Sequence, residues 1–153
     1  MIQESLRIKN LFDDLYEGSP WLGVNLNDTL KNITAQQAAR EISPQWNTIW
    51  EIVNHVISWR QNVIRRVQGE PVVAPDNNYF SMVTDTSEAA WQGTLDMLKS
   101  TTLQWTALLE KYNENDLERI NSTNGNTYYT EIQGILQHDA YHLGQIVLLA
   151  KGS

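Results

Sequence analysis

Apolar residues recur along this chain three or four positions apart in four long stretches, the spacing of helices with one buried face. From about Ile2 to Glu17, Ile8, Leu11, Phe12 and Leu15 make such a face, and Gly18, Ser19 and Pro20 end it. Residues 21–43 form a connection in which Thr34 caps a short helix, TAQQAAREI. A second long helix starts near Ser43-Pro44, where serine can cap and proline is tolerated, and runs to Gly69. It is apolar over most of its circumference, as a helix buried among neighbours should be. An irregular connection, GEPVVAPDNNYFSMV, leads to a third helix that opens at Thr86 or Ser87. Trp91, Leu95, Leu98, Thr102, Trp105, Leu109 and Tyr112 form its stripe, with Thr102 the polar member in the middle. NSTNGNT at 121–127 reads as a turn. The fourth helix runs from about Thr127 to Ala150, with Ile132, Leu136, Leu143, Ile146, Val147 and Ala150 on one side. No series of strands is evident. The pattern predicts an all-α four-helix bundle with a short extra helix between the first and second helices. With no linker and no internal repeat, it predicts a single domain over residues 1–153.

Polar residues that interrupt these stripes carry the candidate chemistry. The chain holds three histidines. His138 and His142 stand four apart in QHDAYHLGQ, so a helix stacks both imidazoles on one face, about 6 Å apart at the backbone. The pair lies beside the apolar stripe, in line with Leu149. The third, His55, sits midway along the second helix, one turn after Glu51 and one turn before Trp59. Neutral imidazole is a common ligand of zinc, nickel, copper and ferrous iron. A single helical histidine is also commonly a hydrogen-bonded core group, and for His55 that reading stands beside ligation. The pair lacks the glutamate of a His-Glu-x-x-His protease motif, which disfavours that mechanism. Asp139 falls in the middle of the fourth helix's apolar stripe, where a carboxylate needs a partner. It is a candidate to orient a neighbouring histidine or to bridge helices. Glu51 is a candidate proton shuttle, or a glutamate favoured near a helix start. Glu131 lies two turns before His138 and is too far to share an ion. Gln145 follows His142 by three and is a candidate pocket residue. Trp21, Trp59 and Tyr79 are candidate pocket walls or core aromatics.

Composition narrows the classes. At 153 residues with 41% hydrophobic and 19% charged positions, the chain can bury a core and does not read as disordered. The net charge of -7, from 18 acidic residues against 11 lysines and arginines, disfavours nucleic acid as a partner. The opening MIQESLRIKN has no signal-peptide pattern, and no apolar run approaches the ~20 residues of a membrane span. There is no cysteine, which removes disulfides, zinc-thiolate sites and a cysteine nucleophile, and agrees with a cytoplasmic location.

IWEIVNHVISWR, followed far downstream by LQHDAYHLGQIVLL, resembles the DinB/YfiT superfamily, and the likeness covers nearly the whole chain. YEGSPWLG at 16–23 and the tryptophan opening the third helix add to it. The resemblance implies a four-helix bundle with a long crossover between the second and third helices. It also implies one divalent metal ion (nickel, zinc or iron) held by three histidines, which match His55, His138 and His142 here. It implies a homodimer, and an enzyme that is either a hydrolase or a low-molecular-weight-thiol S-transferase acting on a small molecule. A non-catalytic metal- or ligand-binding bundle is the alternative. Three nitrogen ligands leave coordination positions open, as catalytic rather than structural sites do. A divalent ion there would lower the pKa of a bound water from ~15.7 towards ~7, or hold a thiol as thiolate. Lacking cysteine, the protein would take any sulfur nucleophile from a cosubstrate.

Overall fold

The computed structural model describes residues 3–152. Four long helices, α1 (Glu4–Tyr16), α4 (Ile49–Val67), α5 (Glu88–Leu109) and α7 (Tyr128–Lys151), carry the bundle. Three short ones, α2 (Leu26–Leu30), α3 (Ala35–Ala38) and α6 (Glu114–Leu117), lie in the connections. The chain is an all-α four-helix bundle. Among the described residues the nearest thing to a strand is an isolated bridge between Ile120 and Thr127. No described helix is long and apolar enough to cross a membrane.

Capping chemistry sets most boundaries. Thr34, Ser87 and Thr127 each accept a backbone N–H of the first turn of α3, α5 and α7. The expected first helix began at Ile2, which lies outside the described residues. Two short helices, rather than one, separate α1 from α4, and α2 is capped by Asn25. Tyr112, expected within the third helix, falls in the turn after α5 and donates its hydroxyl to the Val67 carbonyl. The largest correction concerns α4. Its cap is Thr48, not Ser43, and Thr48 and Glu51 form a reciprocal capping box. Residues 43–46 instead make a turn, closed by Trp46 N–H donating to the Ser43 carbonyl. Proline after a serine is equally at home in a turn, and the capping box five residues on is the stronger start signal.

Helix neighbours run α1, α5, α4, α7 around the bundle. Trp50 meets Trp91 and Thr94 near the starts of α4 and α5, and Arg60 meets Thr102 midway along both, so these two helices are parallel. Parallel neighbours need a connection that travels back along their length. Residues 68–87 make that journey without helix, along the outside of α4. α7 runs antiparallel to α4, as Arg60–Asp139 and Arg66–Glu131 show. α1 runs antiparallel to α5, with Phe12 stacked on Trp105. The interior divides into two apolar clusters, one around Trp50, Trp91 and Leu143, the other around Phe12, Trp105 and Ile132. Between them α4, α5 and α7 contribute a buried polar layer of Arg60, Thr101, Thr102 and Asp139.

Candidate metal centre

Antiparallel packing of α4 on α7 brings His55 to the His138/His142 pair. One ring nitrogen from each of the three lies within 4.8 Å of the others. His55 and His142 are buried, and His138 is partly open to solvent. The imidazole Nε2 atoms of His55 and His138 are 2.9 Å apart.

The surroundings decide which nitrogens are free. His55 Nδ1 lies 2.7 Å from the Asn78 carbonyl, which can only accept, so Nδ1 carries the proton and Nε2 is bare. His142 Nδ1 lies 2.7 Å from Gln145 Oε1, and Gln145 Nε2 donates to the Tyr141 hydroxyl. That orientation leaves Nε2 of His142 bare as well. His138 Nδ1 and Asp139 Oδ1 are both buried without a hydrogen-bond partner, and they face each other at 3.5 Å. A proton on this Nδ1 meets a carboxylate, whereas a lone pair there would oppose one. All three rings are therefore steered to the same tautomer, with Nε2 lone pairs converging. Two such lone pairs 2.9 Å apart repel, and a cation between them removes the repulsion. The donor set and its outer acceptors fit one divalent ion of the kind imidazole favours.

Burial pushes the His55 pKa down to about 4, with the neighbouring imidazoles adding to the shift and the Asn78 hydrogen bond opposing it. Burial also lowers His142, again with His138 adding and Gln145 opposing. Desolvation disfavours the charged ring, so both stay in the neutral form a metal requires.

Of the other expected site residues, Trp59 and Gln145 line the cleft over the histidines, together with Asn47, Asn78, Phe80 and Tyr141. The cleft encloses about 410 Å³. Trp21 does not line it and is 99% exposed, in the turn that Gly23 N–H closes on the Pro20 carbonyl. Tyr79 packs edge-on against Trp59 but lines a separate polar pocket beside α4, where its hydroxyl accepts from Asn62. Glu51 is engaged by its own helix start, its carboxylate accepting the Thr48 N–H at 2.8 Å, and it does not line the cleft. Asp139 lies beneath the site with 0% exposure, and Arg60 Nε donates to its Oδ2 at 2.7 Å. Glu131 is held by Arg66, Asn124 and Asn126, and so ties the 121–127 turn to α4.

Sequence reasoning missed Asn78, Phe80 and Arg60. Phe80 stacks flat on His55, with ring centroids 4.0 Å apart. Asn78 donates nothing to the ring but offers it a carbonyl, while its side-chain Oδ1 accepts from the Trp59 indole at 2.9 Å. Asn78 and Tyr79 have φ of 51° and 62°, a left-handed pair that turns the crossover towards α4. The Asp-Asn-Asn cluster was the available signal, since asparagine tolerates that region. For Arg60 the signal was the polar pair Thr102 and Asp139 on two facing stripes. Arg60 Nη1 donates to Thr102 Oγ1 at 2.7 Å and completes the buried layer.

A family model described as the DinB superfamily matches residues 23–146. No curated protein matches the chain. Among solved structures, YfiT from Bacillus subtilis is similar, with a TM-score of 0.74 at 16% identity, over 99% of this chain and 89% of that one. YfiT is described as a probable metal-dependent hydrolase with an unusual four-helix bundle topology. At that identity the likeness speaks for the fold.

Proposed function

The chain belongs to the DinB superfamily, and from that premise we propose that it is a metal-dependent hydrolase of a small molecule. The observation that carries this reading is the arrangement of three neutral imidazoles, each with Nδ1 turned to an acceptor, around the floor of an open cleft. A divalent ion held on three neutral ligands keeps its full charge, polarises a carbonyl and lowers the pKa of a water beside it. Nickel, zinc and ferrous iron all suit such a donor set. The chain's own groups supply orientation. Tyr141 and Gln145 form one wall, Asn47 and Trp59 others, and Phe80 covers one face of the His55 ring.

One observation favours a second reading. Among the described residues no carboxylate lines the cleft, so no strong general base stands ready for water. A thiol, with a pKa near ~8.5, ionises without one. Since the chain has no cysteine, that thiol would be a low-molecular-weight cosubstrate, and the reaction an S-transfer.

The test is turnover by untagged, metal-loaded protein on esters and amides, with and without added thiol. Turnover without thiol supports the hydrolase. Turnover that appears only with thiol and an electrophile assigns the transferase. Bound metal with no turnover on either panel would leave a metal- or ligand-binding bundle and overturn both enzyme readings.

A further inference from the structure

The seam that holds the histidines continues past them. On α7, His138, His142, Gln145, Leu149 and Gly152 follow one another at steps of three and four, so they share one face. On α4, Ile52 precedes His55 by three and shares its face. Because the helices are antiparallel, both residues lie on the same side of the histidines, Ile52 about one turn (~5 Å) and Leu149 about two turns (~10 Å) beyond them. There a groove of about 510 Å³ opens, lined by Ile42, Trp46, Ile52, Leu148 and Leu149. Asn47 and Gln145 line both this groove and the histidine cleft, so the two adjoin. Its outer wall is the 43–46 turn, which exists because α4 starts at Thr48 rather than at Ser43.

The chemistry of the groove is one-sided. Gln45, Asn47 and Gln145 are its polar members, and among the described residues no ionisable side chain lines it, although the chain as a whole carries a net charge of -7. Trp46 is 60% and Leu148 72% exposed, a large apolar cost to leave in water at the mouth of a polar cleft. A concave, mostly apolar space with a few polar groups at one end is the usual form of a small-molecule site.

We infer that this groove is the specificity subsite of the same centre, and that it takes an uncharged aliphatic or aromatic arm of the substrate whose reacting group lies over the histidines. The inference rests on the metal reading above. Substrates would then be amphiphilic, with a polar reacting head and an apolar arm reaching past Gln145 towards Trp46.

The test uses zinc-loaded protein and a series of alkyl hydroxamates, from acetohydroxamate to octanohydroxamate, titrated by calorimetry. The head binds a metal with open positions, and the chain reports the groove. Affinity is expected to rise up to about fourfold per added methylene until the groove is filled. In Trp46→Ala and in Leu148→Glu that rise per methylene should shrink towards none, and circular dichroism checks that both variants fold. If acetohydroxamate binds but chain length has no effect, or if the rise survives both substitutions, the subsite is wrong while the metal centre stands. If acetohydroxamate fails to bind protein shown to hold zinc, the open metal centre fails and takes this inference with it. A flat series, together with dissociation of an oligomer in Leu148→Glu seen by sedimentation, would make the groove an interface between copies and overturn the subsite.

Discussion

The α1–α5 seam and the α4–α7 seam are both antiparallel helix pairs in one bundle, yet they are built from opposite materials. Phe12 lies flat on Trp105, and the ion pair across that seam, Lys9 with Glu110 at 3.6 Å, stays at its edge. The α4–α7 seam buries Arg60 against Asp139, holds Arg66 on Glu131, and gathers the three histidines. Apolar packing stabilises wherever the shapes match. Buried charge stabilises little on balance, because desolvation offsets the attraction. The α4–α7 seam therefore gives up stability that the α1–α5 seam and the two apolar clusters supply, and in exchange it gathers the three histidines.

Substitutions can break this contrast. Trp105→Ala should cost about 3–5 kcal/mol in denaturant unfolding and leave metal stoichiometry unchanged. Trp105→Phe should cost far less, since the buried indole N–H has no partner to lose. On the other seam, Arg60→Met strands Asp139 and should cost about 3–5 kcal/mol as well. There, however, the double variant Arg60→Met/Asp139→Leu should recover most of the loss, an outcome no apolar pair would give. A double variant left as unstable as Arg60→Met alone would show that the pair is a net stabiliser.

Metal dependence sharpens the comparison further. Nickel or zinc at about 100 times its dissociation constant should raise stability by about 2.7 kcal/mol, and His142→Ala should abolish that rise while Trp105→Phe keeps it. Gln145→Leu removes the acceptor that orients His142 and should weaken metal binding about 10–100-fold, read by competition with a chromogenic chelator. A last effect is one of pH. In the metal-free protein His55 titrates at about 4, against 6.5 for an unburied histidine. Between those values the unfolded chain binds the extra proton. Stability is thus fully present above pH 6.5 and falls as pH drops towards 4. His55→Phe should flatten that part of the curve in urea midpoints, and an unchanged slope would remove His55 as its source.

Much of the fold was legible in the chain. Four apolar stripes became the four long helices; Thr34 caps as expected, Ser87 is one of the two openings expected for the third helix, and Thr127, where the fourth was expected to begin, is its cap. The start of α4 is misplaced when Ser43-Pro44 is read as its cap and the Thr48/Glu51 pair is overlooked. Both are local signals, and the reciprocal one satisfies two backbone donors rather than one. The partner that Asp139 had to have was also legible as a need, though not as Arg60.

By itself the sequence determined the local terms: which residues share a helical face, where the helices begin, and that His138 and His142 stack. Those follow from a period of 3.6 residues and from hydrogen bonds a few positions apart. Tertiary structure decided everything that joins distant stretches. It brought His55 across the α4–α7 seam, laid Asn78 and Phe80 over it from the crossover, and sent Trp21 to solvent. No local rule fixes these contacts. They depend on which helix packs on which, and that is settled only when all the apolar faces are buried together.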